Sequence, residues 1–310
     1  MFEIASVDKL TVTVLVDNYT DVLLESTDVV KRPPRDKNGQ LAPTPLAEHG
    51  LSLLVESGLH KTIGRVLLDT GASPRALPHN AELLGVDLAQ INTLVLSHGH
   101  HDHHGGLAHF LGLPRQERVT LFAHPDAFGK KYHQSREGVR TELPRPDRQA
   151  IIALGADIKL RREPSQVSLG VITTGEVERT TDFEKGQANL LTEREGEICQ
   201  DLVLDDQALV ACVDGKGLVI IAGCAHAGII NTIRYAQKLT GVDRVYAVVG
   251  GFHLSGAEES AILETAIELK QIAPRYLVPM HCTGWGAMNC LADVLPESFV
   301  LCTVGTKICL

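Results

Sequence analysis

The sequence predicts an α/β fold in which two mixed β-sheets pack face to face and carry helices on their outer faces, an αββα sandwich. Two observations predict it. Short apolar segments typical of strands recur in both halves of the chain and alternate with segments of helical spacing. Several strand segments end in a histidine or an aspartate followed by a turn. No linker composition separates the halves, so we expect a single domain over residues 1–310 with a site along one edge of the sheets.

Length and composition are those of an ordinary globular protein. The chain has 310 residues, of which 44% are hydrophobic and 22% are charged. The net charge of −9 gives no general attraction to nucleic acid or to an anionic membrane, so we expect neither as a partner. An anionic small-molecule substrate is compatible with this charge, because metals and local bases can override the global sign. Association into a homo-oligomer stays open.

The termini and the cysteines bear on localisation. Residues 1–5 lack the basic and apolar regions of a signal peptide, and no apolar run is long enough to cross a membrane. The seven cysteines include no Cys-x-x-Cys pair, and an odd number argues against a disulfide framework. We therefore expect a cytoplasmic protein. Most cysteines should be buried hydrophobes, but Cys224 and Cys282 each neighbour a histidine of interest.

The first half of the chain is predicted to be rich in strands. Alternating threonine and apolar residues predict a strand over 9–18 that ends at Asp17 and Asn18. Residues 31–47 are rich in Lys, Arg, Pro and Gly, and they predict an inserted loop. Apolar runs predict further strands at 51–56, 65–68, 91–96 and 119–124, with a short helix near 79–85.

The second half continues the alternation of strands and helices. Apolar runs predict strands at 170–174, 208–213, 217–222, 245–249, 275–280 and near 299–304. Apolar spacing predicts helices over about 229–239 and 257–272. The strand ends carry Cys224 and His226, then His253, and then His281. The recurrence of such residues at strand ends is better evidence for a metal site than any one of them.

A histidine-rich tract follows the strand predicted at 91–96. Four potential ligands fall within six positions: His98, His100, Asp102 and His103. Imidazole and carboxylate suit Zn, Mn or Fe. The first two residues alternate and can point at one metal, while the last two lie past the bend and can serve a second. The alternative is a surface tract with adventitious metal affinity, but this tract follows a buried strand and holds an aspartate at a defined offset.

Residues 125–148 are the most basic stretch of this acidic chain. Their basic side chains are Lys130, Lys131, His133, Arg136, Arg140, Arg145 and Arg148. One interpretation is a solvated loop. The other is a lid over the metal site that contacts an anionic substrate, with Arg136 and Arg140 as the candidate substrate ligands.

The pattern His-x-His-x-Asp-His after a strand resembles the signature of the metallo-β-lactamase superfamily. More narrowly, the chain is similar to a branch of archaeal and bacterial metal-dependent hydrolases that includes a dihydropterin ribofuranosyl-aminobenzene 5′-phosphate synthase. Besides the central tract, the matching segments are residues 14–18, 48–52, 68–71, 223–232, 250–254 and 279–284. The resemblance implies the αββα metallo-β-lactamase fold over nearly the whole chain.

The resemblance also implies roles for the strand-end ligands. His281 matches the last metal histidine of the superfamily, and Cys224 occupies the place of a bridging aspartate. Residues 173–176 stand where a Gly-His motif is usual, so His226 is the candidate third ligand of the first metal. If a turn has begun at Gly223, only one of Cys224 and His226 can reach the site, which favours the longer imidazole. Which of the two is the ligand stays open.

Other residues are implied to support the metals or to meet the substrate. Asp69 matches a carboxylate that holds a ligand histidine through a hydrogen bond. Asn18, His49 and His253 are candidates for substrate binding. We expect Asp102 and His253 to take part directly in catalysis.

These features together predict a metal-dependent enzyme that acts on a small phosphate-containing or ester-type molecule. Zinc is the expected cofactor, as one or two ions, with Mn, Fe or Mg as alternatives. In the main interpretation a metal-bound hydroxide attacks phosphorus or a carbonyl carbon, which makes the protein a hydrolase. One alternative is a synthase that condenses a pterin phosphate and releases pyrophosphate. Another is a redox or non-catalytic binding member of the same fold.

Overall fold

The structure, a computed structural model, describes residues 2–37 and 39–310. Its strands in chain order are β1 (Ser6–Val7), β2 (Lys9–Val16), β3 (Val30–Lys31), β4 (Asp36–Lys37), β5 (Gln40–Leu41), β6 (Ser52–Leu59), β7 (Thr62–Leu68), β8 (Thr93–Val95), β9 (Thr120–Ala123), β10 (Lys131–Gln134), β11 (Arg140–Glu142), β12 (Asp157–Leu160), β13 (Ser165–Ser168), β14 (Val171–Thr173), β15 (Leu190–Arg194), β16 (Glu197–Gln200), β17 (Ala208–Val213), β18 (Gly217–Ala222), β19 (Val245–Gly251), β20 (Tyr276–Met280) and β21 (Lys307–Cys309). Its helices are α1 (Ala76–Leu83), α2 (His101–His104), α3 (Leu107–Leu111), α4 (Arg148–Ala153), α5 (Ile229–Thr240), α6 (Glu259–Ile272) and α7 (Trp285–Val294). None of the helices in these two ranges has the length and apolar character needed to span a membrane.

Two large mixed sheets form the centre of the molecule, as the sequence predicts. The first has the order β13-β14-β17-β18-β19-β20, with β1 joined to β17, and the second has the order β12-β9-β8-β7-β6-β2-β21-β3. Strands β18, β19 and β20 are parallel in the first sheet, and β7, β8, β9 and β12 are parallel in the second. Parallel neighbours need a long crossover, and α5 and α6 supply it in the first sheet.

Alternating side chains fill the space between the two sheets. The core there takes every second residue of the strands that face each other. Its members include Leu209, Ala211, Val219 and Ile221 from the first sheet and Val12, Val14, Val66 and Leu68 from the second. All of these side chains are fully buried. The period-two pattern of the sequence is therefore what closes the sandwich.

Helices cover both outer faces, which confirms the predicted αββα layering. On the first sheet, α5, α6 and α7 pack through Ile233, Leu269 and Leu291. On the second sheet, α1 and α3 pack through Leu77 and Phe110. Each helix buries one apolar stripe against a sheet and leaves its other side to solvent.

The carboxyl ends of the parallel strands meet at one edge of the sandwich. Strand β7 ends before Asp69, and β8 ends just before the histidine tract and α2. In the other sheet, Cys224 follows β18, His253 follows β19 and His281 follows β20. Because strand ends are held by the sheet behind them while their side chains reach open space, this edge is suited to hold a rigid site.

The basic segment 125–148 contributes strands β10 and β11 to a separate four-stranded sheet of order β11-β10-β15-β16. Lys131 in β10 is buried, and its Nζ donates to Asp201 at 2.9 Å and to Asp205 at 2.8 Å. Asp205 Oδ2 also accepts a hydrogen bond from the N–H of Gly99 at 2.7 Å. Burial acts to lower the pKa of Lys131, but the two carboxylates outweigh it and raise the pKa. This ion triad therefore fastens the small sheet to the histidine tract.

Two segments differ from the sequence predictions. The strand predicted near 299–304 is wrong, because Phe299 makes a single bridge to Leu277 and the Leu301 carbonyl bonds to the Arg32 guanidinium at 2.7 Å. The chain turns at Gly305, and the last strand is β21, which pairs with β2. The segment 31–47 is not a uniform loop, since β4 and β5 form a short hairpin there.

Removing the ammonium of Lys131 should destabilise the protein strongly. Lys131→Ala would leave two buried carboxylates without their cation, which costs about 3–5 kcal/mol. We expect a correspondingly lower free energy of unfolding in urea. The neighbouring Lys130 is the matched control, since its contact with Glu193 at 2.7 Å lies in partly exposed surroundings, and Lys130→Ala should change little. Equal effects of the two substitutions would show that the triad does not hold the small sheet.

Candidate metal centre

All seven side chains predicted as metal ligands converge at the shared edge of the two sheets. Their donor atoms, with those of His253 and Cys282, form overlapping groups in which the atoms lie within 4.8 Å of one another. The first group is His98, His100 and His226, and the second group is Asp102, His103 and His281. Two more groups share the Cys224 thiol: His98 with His103 and Cys224, and Cys224 with His253 and Cys282. The centre thus takes donors from both sheets.

The first group consists of three imidazoles in mutual contact. His98 Nε2 lies 3.0 Å from His100 Nδ1, and the ring centroids of His98 and His226 are 4.7 Å apart. The rings of His100 and His226 are 4.8 Å apart. His226 therefore lies where a third histidine is needed, in place of the Gly-His motif that the sequence lacks between the tract and β18.

The second group places a carboxylate between two imidazoles. Asp102 Oδ2 lies 3.2 Å from His281 Nε2 and 3.7 Å from His103 Nε2. The Cys224 sulfur lies 3.1 Å from the same His103 nitrogen. The thiol therefore stands beside the second group, where the resemblance expects a bridging ligand.

Cys224 and His226 both reach the centre. The sequence suggested that only one of them would, because a turn was expected at Gly223. The chain does bend over Gly223 and Cys224, but both side chains still have donor atoms in the groups, because Ala225 between them takes a left-handed φ of 54°. The His226 imidazole thus belongs to the first group, and the Cys224 thiol belongs to the two groups that share it.

Asp69 lies against His103 and Ser97 in the interior, in the position from which the sequence suggests it holds a ligand histidine. Its Oδ1 accepts the Ser97 N–H at 2.7 Å, and its Oδ2 accepts the Ser97 hydroxyl at 2.7 Å. His103 Nδ1 lies 2.6 Å from Asp69 Oδ2 and donates to it. A proton fixed on Nδ1 leaves Nε2 of His103 as the lone-pair nitrogen that faces Cys224 and Asp102.

Asn18 contacts two histidines of the centre, and its predicted role toward substrate stays a prediction. Both ends of its amide are engaged within the protein. Its Oδ1 accepts from His281 Nδ1 at 3.0 Å, and its Nδ2 donates to the His281 carbonyl at 3.1 Å and lies 3.2 Å from His49 Nδ1. Asp17 Oδ1 accepts the His281 N–H at 2.9 Å. Asn18 therefore orients His281 and His49.

Strained backbone marks the strand ends that form the centre. Asp69, Ala225, His253 and His281 have φ values of 61°, 54°, 49° and 53°. Left-handed conformations are uncommon for residues other than glycine and cost of order 1–3 kcal/mol each. Each of the four lies at a sharp turn, and the turn directs either its own side chain or that of a neighbouring residue toward the centre. The strain is therefore part of how the sheet edge becomes a site.

Burial keeps the first group neutral. Burial, followed by the rings of His103 and His100, lowers the pKa of His98 well below its ordinary value. Burial and the nearby Lys131 ammonium lower the pKa of His100 to about 4. Burial and the His253 ring lower the pKa of His226 well below its ordinary value. Neutral imidazoles keep a lone pair free, which is the form that binds a metal ion.

The second group carries charge. Burial acts to raise the pKa of Asp102, but His103 and His281 outweigh it and hold the pKa well below its usual range. Burial acts to lower the pKa of His103, but the carboxylates of Asp69 and Asp102 outweigh it and raise the pKa to about 9. Asp102 and His103 therefore form a charged pair, and a metal ion that binds this group would displace the Nε2 proton of His103.

Unpartnered nitrogens show that these residues fit a metal ion. Among the described residues, no hydrogen-bond partner meets the buried Nε2 atoms of His100 and His226. A buried nitrogen without a partner costs about 1–3 kcal/mol, and coordination would satisfy it. Imidazole, carboxylate and thiol donors at these separations match the ligands that zinc takes in proteins.

Three residues of this region were not predicted as part of the site. The donor atom of Cys282 lies within 4.8 Å of those of Cys224 and His253. Its position directly after His281 in the sequence could have marked it as a site residue. Lys131 stood among six other basic residues with nothing to single it out. Asp205 belongs to no recognisable motif.

The structure places the predicted substrate ligands at the periphery. The side chain of His49 is 72% exposed, with Nε2 at 3.6 Å from Asp102 Oδ2. Arg136 and Arg140 are exposed in the β10–β11 hairpin, and Arg140 Nε donates to Gln134 at 2.9 Å. Neither arginine forms a described hydrogen bond or ion pair with the donor groups, so their role toward substrate stays a prediction.

Removing two donors of the first group should lower the metal content. The double change His98→Ala and His100→Ala leaves one imidazole of that group, so at least one site should lose its ion in elemental analysis of the purified protein. His101→Ala is the matched control, since His101 lies in the same tract but is exposed and outside the four groups. Full metal content in the double variant would contradict the assignment of these histidines.

Comparison with known proteins supports the fold and the family. The family model described as the metallo-beta-lactamase superfamily matches residues 47–175, which include the histidine tract. The 7,8-dihydropterin-6-methyl-4-(beta-D-ribofuranosyl)-aminobenzene-5′-phosphate synthase of Methanocaldococcus jannaschii is 34% identical over 82% of this chain and 87% of its own length. A second protein of that organism, uncharacterized by name, is 31% identical over 84% of this chain and 92% of its own.

A solved structure shows the same architecture. The crystal structure of Tm1679, described as a metal-dependent hydrolase of the beta-lactamase superfamily, superimposes with a TM-score of 0.72. The alignment has 26% identity and covers 96% of this chain and 98% of the other. The chain is therefore an enzyme of the metallo-β-lactamase superfamily, and it belongs to the branch that includes the dihydropterin ribofuranosyl-aminobenzene phosphate synthase.

Proposed function

We propose that this chain is a synthase that joins a dihydropterin-methyl group to the amino group of a ribofuranosyl-aminobenzene 5′-phosphate. The observation that carries the proposal is the 34% identity, over 82% of the chain, to the relative named for that product. The convergent donor groups support it, because substrates with phosphate groups suit a cluster that can hold metal ions. The proposed substrates are small and anionic.

The proposed reaction is a substitution at the methyl carbon of the dihydropterin. A C–N bond forms between that carbon and the amine nitrogen, and the C–O bond to a pyrophosphate group breaks. The electron pair of the broken bond leaves with pyrophosphate, and the amine gives up a proton to a base. The step needs no oxidant or reductant.

The first and second groups are the proposed metal positions, with the Cys224 thiol beside the second. Zinc is the proposed ion, since imidazole, carboxylate and thiolate are its usual ligands, and Mn, Fe or Mg are the alternatives. When bound, such an ion would stabilise the charge that develops on the departing pyrophosphate. Asp69 and Asn18 would keep His103 and His281 oriented toward it.

His253 is the proposed base. Its two ring nitrogens have no hydrogen-bond partner in the described part of the chain, and its ring lies 3.9 Å from that of His226. It can therefore take a proton without breaking a structural bond. The partly exposed Asp102 and the exposed His49 are proposed to meet the substrate at the rim.

A hydrolase is the second candidate, because Tm1679 is described as one and shares the fold at 26% identity. The same donor groups would then serve the attack of water on a phosphate or an ester. The two candidates differ in the nucleophile, so an assay that offers both nucleophiles separates them.

The synthase proposal predicts that pyrophosphate release depends on the amine. Protein loaded with zinc is incubated with the diphosphate of 6-hydroxymethyl-7,8-dihydropterin, with and without ribofuranosyl-aminobenzene 5′-phosphate. We expect pyrophosphate and the coupled product, detected by mass spectrometry, when both substrates are present. Phosphate or pyrophosphate release at the same rate without the amine, and no coupled product, would overturn the proposal in favour of a hydrolase.

The role of His253 predicts a loss of rate without a loss of metal. Asparagine tolerates the left-handed conformation at this position but cannot accept the proton, so His253→Asn should lower kcat by about 10²–10⁴-fold. Metal content should be unchanged. His133, an exposed histidine in β10 outside the four donor groups, is the control, and His133→Asn should leave kcat unchanged. A near-normal kcat in the His253 variant would exclude it as the base.

A further inference from the structure

We propose that the cavity beside His226 and His253 holds the dihydropterin ring and that the Glu184 carboxylate recognises the N–H donor edge of that ring. This inference rests on the proposed synthase function and assigns one of its two substrates to a place in the fold. The residues that carry it lie in the segment 183–187, in α6 and at the turn before α5.

The cavity adjoins the donor groups directly. Its volume is about 280 Å³, and His226 and His253 are among the residues that line it. Apolar side chains supply much of the rest, among them Phe183, Phe252 and Ala261. A cavity with aromatic and apolar walls and a few polar groups is suited to a flat ring. A ring bound here would hold its substituent next to the metal positions.

Charge distinguishes the two candidate rings. The cavity is lined by two carboxylates, Glu184 and Glu258, and by one cation, Lys185. A net negative lining disfavours a phosphate inside the cavity, and the diphosphate of the pterin substrate lies on its methyl group, outside the ring and toward the metal positions. The pterin ring is uncharged and presents an amino group and a ring N–H side by side, which are donors for a carboxylate. The lining therefore favours the pterin.

Glu184 is held in one orientation. Its Oε1 accepts from the Ile230 N–H at 2.9 Å, and its Oε2 accepts from the Asn231 N–H at 2.9 Å and the Thr181 hydroxyl at 3.0 Å. A carboxylate has about four acceptor positions, so one remains on Oε1, and it can accept one of the two neighbouring donors of the ring, the 2-amino group. Gly228 permits the close approach, because a Cβ there would overlap the Glu184 carboxylate.

A second anchor keeps the segment before the cavity wall in place. The Asn231 side chain accepts the N–H of Thr180 at 2.7 Å and of Thr181 at 2.9 Å, and it donates to the Ala227 carbonyl at 2.8 Å. The wall is thus tied to the first turn of α5 at both Asn231 and Glu184. A wall ordered before binding loses less entropy when it meets a ring.

Filling the cavity tests where the ring binds. Ala261→Trp places a large side chain in the cavity, and Ser260→Trp adds the same side chain at an exposed neighbour on α6. The probes are 6-hydroxymethyl-7,8-dihydropterin and ribofuranosyl-aminobenzene 5′-phosphate, each titrated calorimetrically into the zinc-loaded protein. We expect Ala261→Trp to weaken pterin binding at least tenfold and to leave the riboside phosphate unchanged, while Ser260→Trp changes neither.

A double-mutant cycle tests Glu184 apart from its structural bonds. Removing the 2-amino group of the pterin probe should weaken binding to the natural protein severalfold. It should matter much less in Glu184→Gln, where the carboxylate is gone. Loss of the helix contacts alone would lower the melting temperature and would affect both probes equally, so an equal loss overturns the role of Glu184.

The outcomes separate this inference from the proposed function. If coupled product forms but Ala261→Trp leaves the pterin Kd unchanged, the synthase stands and the cavity assignment is wrong. If Ala261→Trp weakens the riboside phosphate instead, the cavity belongs to the other substrate, which also overturns the inference. If no product forms and the natural protein binds no pterin, both fail together.

Discussion

The centre depends on one buried carboxylate. Asp69 is fully buried and accepts three hydrogen bonds, two from Ser97 and one from His103. A carboxylate at this depth without partners would cost several kcal/mol, so the ends of β7 and β8 and the start of α2 are stable only in the arrangement that supplies these donors. The same arrangement directs His103 Nε2 toward Cys224 and Asp102. Folding of this edge and formation of the ligand set are therefore a single event.

The centre destabilises the chain that forms it. Three imidazoles pack with ring centroids between 4.6 and 4.8 Å apart, their unpartnered nitrogens are buried, and four strand ends are held in left-handed backbone. These features persist because the strands behind them are anchored by the fully buried core between the sheets. An ion that binds the folded chain and not the unfolded one would offset part of this cost.

The features that could be predicted are the ones that repeat. Period-two burial and recurrent ligands at strand ends gave the layers and the donors of both groups. Features made by single long-range contacts could not be predicted. Lys131 gains its role from Asp201 and Asp205 more than 60 residues away, and Asn18 gains its role from His281. The final strand was misplaced because the Arg32 side chain, and not a neighbouring strand, donates a hydrogen bond to the Leu301 carbonyl. Such a contact leaves no pattern in the local sequence.

The position of β21 has a consequence for biosynthesis. This strand is the last in chain order, yet it lies between β2 and β3, which are among the first. During translation the free edge of β2 has no partner there until residues 307–309 have left the ribosome, and an unpaired edge invites association with other nascent chains. His281 also emerges late. The apolar interior and the ligand set therefore reach their final form only after residues 307–309 have emerged, which favours ion uptake by the assembled sandwich over uptake by a partial one.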